Sequence, residues 1–179
     1  MRHSPTAWFA LLCLLLLSLE ASARGTYLSP QAFLEESFPE GVPAPRILWL
    51  KGTLRKQVQA LLGHRYPALR LRYWRKGART AFILEEIGKD EPITFGVLVR
   101  EGRIERIRVL VFRESRGDEI RHGFFTRQFE GAGLGKENRL DRSVDNISGA
   151  TLSVRAMTRI ARLALLLERT IRERDATRP

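Results

Sequence analysis

The sequence predicts one α+β domain, an antiparallel sheet with helices packed on it and a long helix at the C-terminal end. Apolar residues recur with a period of two in four consecutive stretches between positions 68 and 112, which is typical of strands. From Ser148 to Arg172 the apolar residues recur with helical spacing instead. Four short strands in a row favour an antiparallel sheet with one face covered.

The strands of this sheet are predicted over residues 68–74, 80–87, 93–100 and 103–112. The last two are joined by Glu101-Gly102, which is typical of a hairpin turn. The alternation slips once in the last strand, and such a slip predicts a β-bulge. Arginines alternate with the apolar residues, so they are expected to lie on a solvent-facing side of the sheet.

Two shorter helices and a brief strand precede the sheet. Ser29 as N-cap and Pro30 at the first helical position predict a helix within residues 28–38. A second helix is expected to begin at Gly52-Thr53 and to end at Gly63. Residues 47–50 lie between the two and are predicted as a strand.

The first 23 residues have the organisation of a signal peptide for export. Arg2 and His3 precede an apolar run from Trp8 to Leu19, and Ala21-Ser22-Ala23 has the small-x-small pattern of a cleavage site. Cleavage would leave residues 24–179 as a single domain in the periplasm or another extracytoplasmic compartment. Retention of the segment would instead anchor the protein to the membrane.

Charge and cysteine content restrict the chemistry. The chain has 31 Lys and Arg against 20 Asp and Glu, a net charge of +11, which for an exported protein favours an acidic protein partner or an anionic membrane surface over nucleic acid. Its single cysteine, Cys13, lies in the signal segment. His64 and His122 lack metal-ligand spacing, so no metal site is expected.

The most informative stretch begins at Asp145 and contains the predicted start of the last helix. Ser148 is expected to cap this helix by accepting a hydrogen bond from the N–H of Ala150 or Thr151. Gly149 allows a bulky group to approach the backbone closely. The first turn offers free N–H groups and the positive end of the helix dipole, which suit a phosphate beside the Thr151 hydroxyl. From the local pattern alone, a simple capped helix start is an equal alternative.

The pattern Asp145-x-x-Ser148-Gly149-Ala150-Thr151 resembles the flavinylation motif of the FMN-binding domain family. This family includes the flavinylated subunits of sodium-translocating NADH:quinone oxidoreductase and Rnf-type complexes, and small exported flavoproteins. Three upstream segments also follow the order usual in the family: 102–111, 114–117 and 125–131. At 114–117 the family more often has Glu-Thr-Pro-Gly, whereas this chain has Glu-Ser-Arg-Gly.

The resemblance implies that Thr151 carries FMN through a phosphoester and that a dedicated flavin transferase attaches it. It implies that the transferase recognises Asp145, and that Ser148, Gly149, Ala150 and Leu152 surround the attached cofactor. Glu114 is the one acid expected near the flavin ring, and its alternative is a solvent-exposed turn residue. No catalytic residue is implied.

The implied function is electron transfer by an exported, covalent flavoprotein in a membrane-associated or extracytoplasmic redox chain. Two alternatives stay open: a flavin-dependent reductase of a small substrate, and a basic exported binding module without cofactor. Residues 119–130 could form a helix whose aromatic residues belong to the core or flank the flavin. Four arginines of the last helix are expected to form a solvated basic face or a docking surface for an acidic redox partner: Arg155, Arg159, Arg162 and Arg169.

Overall fold

The computed structural model of the protein describes residues 24–177, and the predicted signal peptide lies outside the described residues. Its centre is a six-stranded antiparallel sheet in the order β1-β6-β5-β4-β3-β2. Strands β2 to β6 pair in the order in which they follow one another along the chain, and β1 pairs with β6 as an edge strand. The strands are β1 (Gly25–Thr26), β2 (Arg46–Trp49), β3 (Arg70–Lys76), β4 (Arg79–Ile87), β5 (Pro92–Arg100) and β6 (Arg103–Phe112).

Two helices lie between the first three strands and two follow the last strand, which confirms the predicted α+β class. The long C-terminal helix begins at Thr151 and follows a segment of short turns that packs against β6. No helix within residues 24–177 is long and apolar enough to cross a membrane. The helices are α1 (Pro30–Ser37), α2 (Gly52–Leu62), α3 (Gly123–Thr126) and α4 (Thr151–Ala176).

Both faces of the sheet are covered in part, so the expectation of a single covered face is wrong. The larger core lies between the sheet and helices α2 and α4. A second core forms where α1 crosses the opposite face, with Phe33 packed directly over Gly96. A Cβ atom at position 96 would lie 2.8 Å from the Phe33 ring. Residues 93–99 are buried throughout because both cores cover the middle strand.

Turn chemistry and register explain the hairpin between β5 and β6. Glu101 and Gly102 both have positive φ, at 52° and 79°, as a tight two-residue hairpin turn requires. The register between the two strands shifts at Thr94/Phe95 and at Leu98/Val99. The predicted hairpin is therefore confirmed. The pairing of β5 and β6 shows two register shifts where the sequence predicts one bulge.

The segment before the last helix is more broken than predicted. Instead of one helix over 119–130, it forms α3 between two 3₁₀ turns, Asp118–Arg121 and Arg127–Phe129. Phe125 and Phe129 are fully buried in the main core, in an edge-to-face contact with ring centroids 5.7 Å apart. Phe124 points outward and is 58% exposed.

The arginine face of α4 is also different from the expected solvated surface. Arg159 Nη1 lies 3.1 Å from Oε1 of the buried Glu86. Arg162 donates a 2.6 Å hydrogen bond to the backbone oxygen of Asn138, and Arg169 donates one of 3.0 Å to its side-chain oxygen. All three arginines are half-buried: Arg159 ties the helix to β4, and Arg162 and Arg169 hold the preceding loop, whereas Arg155 is exposed.

Candidate functional site

The start of α4 is an uncapped helix end. Ala150 occupies the N-cap position, and no side chain caps the helix. The prediction that Ser148 caps it is wrong, because Gly149 adopts φ = +84° and turns the chain between Ser148 and the helix. Ser148 is left exposed, and the Ala150 N–H donates to the backbone oxygen of Ile147 at 3.0 Å.

The missing cap leaves hydrogen-bond donors free. The N–H of Val154 is the first to bond within the helix, to the Ala150 oxygen at 2.9 Å. The N–H groups of Thr151, Leu152 and Ser153 have no partner within the described part of the chain. Together with the positive end of the helix dipole, these three donors favour an anion at this position.

Thr151 presents its hydroxyl at this helix end. The residue is half-buried, and its Oγ1 accepts a 3.0 Å hydrogen bond from the side-chain amide Nδ2 of Asn146. This bond favours one side-chain rotamer, because it holds Oγ1 towards the preceding loop. The hydroxyl proton remains available to a second partner.

Thr151 also lines a cavity of about 480 Å³. Its walls come from three places in the chain: the β4–β5 turn, the turn after β6, and the first residues of α4. Gly149 lies on its wall, where a Cβ atom would meet nothing within 4 Å. The lining residues are Lys89, Glu114, Ser115, Arg116, Gly149, Ala150, Thr151, Leu152 and Ser153.

Glu114 is a buried structural acid of this cavity. It is 5% exposed, and its Oε1 accepts backbone N–H bonds from Lys89 at 2.5 Å, Asp90 at 2.7 Å and Glu91 at 3.0 Å. A Cβ atom at Gly88 would lie 2.8 Å from the same oxygen. The carboxylate therefore fixes the β4–β5 turn against the cavity, and the alternative of a solvent-exposed turn residue is wrong.

The turn after β6 packs tightly on the start of α4. Gly117 has φ = +93°, and a Cβ atom there would lie 2.5 Å from Oγ of the buried Ser153. Only glycine fits both the backbone conformation and this close approach. The residues 114–117 are thus held next to Thr151 by direct packing.

The charged lining of the cavity favours an anion. Arg116 is exposed and forms no ion pair with a carboxylate of residues 24–177, while Lys89 is paired only with the exposed Asp90, at 3.3 Å. Glu114 is the one acid in the lining, and its Oε1 is occupied by three amides. The lining thus combines two cations and three free N–H groups with a single carboxylate, one oxygen of which is already hydrogen-bonded.

Two motif residues lie outside the cavity lining. Ser148 is exposed on the loop before Gly149. Asp145 is also exposed, and its backbone N–H donates a 2.8 Å hydrogen bond to the side-chain oxygen of Gln128. The carboxylate of Asp145 therefore faces solvent, where another protein could reach it.

Comparison with known proteins agrees with this geometry. The family described as FMN-binding domain matches residues 88–166, a segment that contains every residue of the cavity lining. The chain contains an FMN-binding domain. The resemblance found in the sequence is therefore confirmed, and the family supports flavin binding and an electron-transfer role. Neither the curated proteins nor the solved structures gave a match.

The residues of this FMN-binding domain suit the phosphate end of a flavin. The free N–H groups of the first helical turn can donate hydrogen bonds to phosphate oxygens, and Lys89 and Arg116 can balance the phosphate charge. Leu152, 42% exposed, offers an apolar contact. Sequence reasoning missed Lys89, Asn146 and Ser153, because each belongs to the site through a turn, a hydrogen bond or a packing contact that has no local pattern.

Proposed function

We propose that the protein is an exported electron-transfer flavoprotein that holds FMN covalently, through a phosphoester to Thr151. The observation that supports this most is the position of the Thr151 hydroxyl. Thr151 lines a cavity of the FMN-binding domain, and its hydroxyl belongs to a helix end whose donors are free. A phosphate esterified to Oγ1 would lie within reach of those donors.

The attachment is a phosphoryl-type transfer. Oγ1 of Thr151 forms a bond to the FMN phosphorus, the hydroxyl proton is lost, and the bond from phosphorus to a leaving group breaks. A flavin transferase supplies the activated donor, a flavin nucleotide in which a phosphoanhydride provides that leaving group. We infer that the exposed Asp145 is part of the surface that this enzyme recognises, since its carboxylate is free for an external contact.

The protein residues then have two tasks. The first turn of α4 binds the phosphate, while the isoalloxazine ring supplies one- or two-electron chemistry when the cofactor is bound. Lys89 and Arg116 provide positive potential at the cavity, which favours a more negatively charged, reduced flavin. Glu114 holds Lys89 in place through the β4–β5 turn.

A carrier fits the cavity better than a reductase of a small substrate. The one carboxylate in the lining accepts three backbone hydrogen bonds at Oε1 and so holds the β4–β5 turn, and the lining offers no second acid as a proton donor for a substrate. A tethered cofactor also suits an extracytoplasmic compartment, where free FMN would be lost by diffusion. With a net charge of +11, the carrier would exchange electrons with an acidic or membrane-bound redox partner.

Intact mass spectrometry tests this proposal. The chain is produced with its signal segment in a host that exports it together with a flavin transferase. We expect a gain of one FMN less one water in the wild type and no gain in Thr151→Val, which keeps the side-chain shape and removes the hydroxyl. Ser153→Ala removes a hydroxyl from the same helical turn and should keep the gain. An unchanged gain in Thr151→Val would refute the assignment.

A further inference from the structure

A second and larger depression is formed by residues that precede the flavin motif in the chain. It has a volume of about 830 Å³ and opens on the face of the sheet that α1 crosses. Helix α1 borders it at Pro30, Gln31 and Leu34, and strands β2, β3 and β4 form its floor. All of its lining residues lie between positions 30 and 83, before the segment that matches the FMN-binding domain.

The floor of this depression combines exposed apolar side chains with arginines. Ile47 is 50% exposed and pairs with Arg72 across the β2–β3 ladder. Trp49, 46% exposed, lies just outside the lining and pairs with Arg70. Trp74, half-buried, follows on the same face of β3. Trp49 and Trp74 are the only tryptophans after the predicted signal peptide, and both lie on this face.

The positive charge of this face is not neutralised by the protein. Neither Arg70 nor Arg72 has an ion pair or a side-chain hydrogen bond with a residue of 24–177. Lys51 adds a third cation, with Nζ 4.9 Å from the centre of the Trp49 ring. A partner of this surface should therefore carry negative charge and also offer apolar groups that contact the indole and aliphatic side chains.

We propose that this face, defined by Ile47, Trp49, Arg70, Arg72 and Trp74, binds the surface of an anionic phospholipid bilayer. Tryptophan prefers the boundary between headgroups and acyl chains, because its ring is apolar and its N–H is polar. Arginine forks match phosphate oxygens, and basic side chains are attracted to anionic headgroups. An exported protein with this face would lie against a membrane, where a redox partner resides.

The arrangement suits a lipid surface better than an acidic protein. Protein interfaces are also enriched in Trp and Arg, but their centre is otherwise depleted of charge, and their charged groups lie mainly at a polar rim. Here each guanidinium is the direct cross-strand neighbour of an exposed apolar side chain, so charge and apolar surface alternate at the centre. Phospholipid headgroups and acyl chains offer anionic and apolar contacts next to each other, and they adapt to the protein.

Vesicle binding tests the proposal with the exported protein. We expect sedimentation with vesicles that contain phosphatidylglycerol and none with phosphatidylcholine alone. Tryptophan emission should shift to the blue on binding. The double variant Arg70→Glu/Arg72→Glu should weaken binding by about tenfold or more, because two attractive charges become repulsive. Trp49→Ala should weaken binding several-fold at unchanged charge.

A matched control separates this face from general electrostatic attraction. Arg55→Glu/Lys56→Glu makes the same change in net charge on α2, which packs on the other side of the sheet. It should weaken binding by no more than about threefold. Equal losses in both double variants would overturn the proposal, and so would a lack of binding to anionic vesicles. A further contradicting result would be that Arg70→Glu/Arg72→Glu weakens binding to an acidic protein but leaves vesicle binding unchanged. Thr151→Val should bind vesicles like the wild type, so this outcome does not depend on the flavin.

Discussion

The side-chain amide of Asn146 donates a 3.0 Å hydrogen bond to the hydroxyl oxygen of Thr151. Because this bond uses Oγ1 as an acceptor, it orients the hydroxyl without occupying its proton. We expect Asn146→Ala to slow attachment of FMN by about two- to tenfold, the value of one ordinary hydrogen bond. The fraction of flavinylated protein, followed against time by in-gel flavin fluorescence, measures this.

The final extent of attachment serves as the control for Asn146→Ala. After long incubation with the transferase, the variant should reach the same mass gain as the wild type, since Thr151 is intact. A rate equal to that of the wild type would show that the Asn146 bond has no part in presenting the hydroxyl.

Glu114 should matter for stability more than any exposed acid of the chain. Its removal in Glu114→Ala leaves the three amides of the β4–β5 turn without their acceptor, which should cost about 2–4 kcal/mol of unfolding free energy. The exposed Glu119 is a suitable comparison, and Glu119→Ala should cost less than about 0.5 kcal/mol. Urea unfolding measures both, and equal costs would contradict the role assigned to Glu114.

Much of this fold could be predicted from the sequence because its elements follow simple periodicities. The Ser29–Pro30 start of α1, the glycine that ends α2 and the Glu101-Gly102 hairpin all depend on neighbouring residues. The second covered face could not be found in this way. It depends on Phe33 packing over Gly96, a contact between residues that are distant in sequence.

The candidate site was predictable only in its motif. The local pattern predicts Thr151 and its glycine as site residues, but it places the N-cap of the helix at Ser148, two residues before the observed N-cap Ala150. A serine before an apolar run looks like a cap, whereas the positive φ of Gly149 separates Ser148 from the helix. Lys89 lies near Glu114 because the β4–β5 turn donates three backbone hydrogen bonds to Glu114 Oε1. No spacing of residues in the sequence reveals these bonds.

Arg116 should raise the reduction potential of the bound flavin. Its guanidinium lies in the cavity lining without a carboxylate partner in residues 24–177, so it stabilises added negative charge. Loss of one such charge at high dielectric is worth about 1 kcal/mol, or roughly 20 mV for a two-electron couple. Arg116→Ala should therefore lower the midpoint potential by about that amount in a spectroelectrochemical titration. Arg116→Lys should stay near the wild type, and a rise in Arg116→Ala would contradict this account.

The His64–Glu86 pair should make stability depend on pH. His64 Nε2 lies 2.9 Å from Oε1 of the buried Glu86, and this hydrogen bond raises the pKa of His64. The folded protein then binds the histidine proton more tightly than the unfolded chain. Its stabilisation is complete below the ordinary histidine pKa of about 6.5 and is lost as pH rises through the raised folded value.

A double-mutant cycle with His64→Ala and Glu86→Gln isolates this pair from the contact between Glu86 and Arg159. The coupling energy from urea unfolding should be larger at about pH 5.5 than at about pH 9. Coupling that is constant between these pH values, or larger at the higher one, would contradict the assigned interaction.

Peptide mapping of the flavinylated protein tests the central claim most directly. Trypsin cuts after Arg142 and Arg155 and releases residues 143–155 as one peptide, which contains Ser143, Ser148, Thr151 and Ser153. We expect fragment ions of this peptide to place one FMN, through its phosphate, on Thr151. FMN on one of the three serines, or flavin that is released on denaturation, would contradict the account.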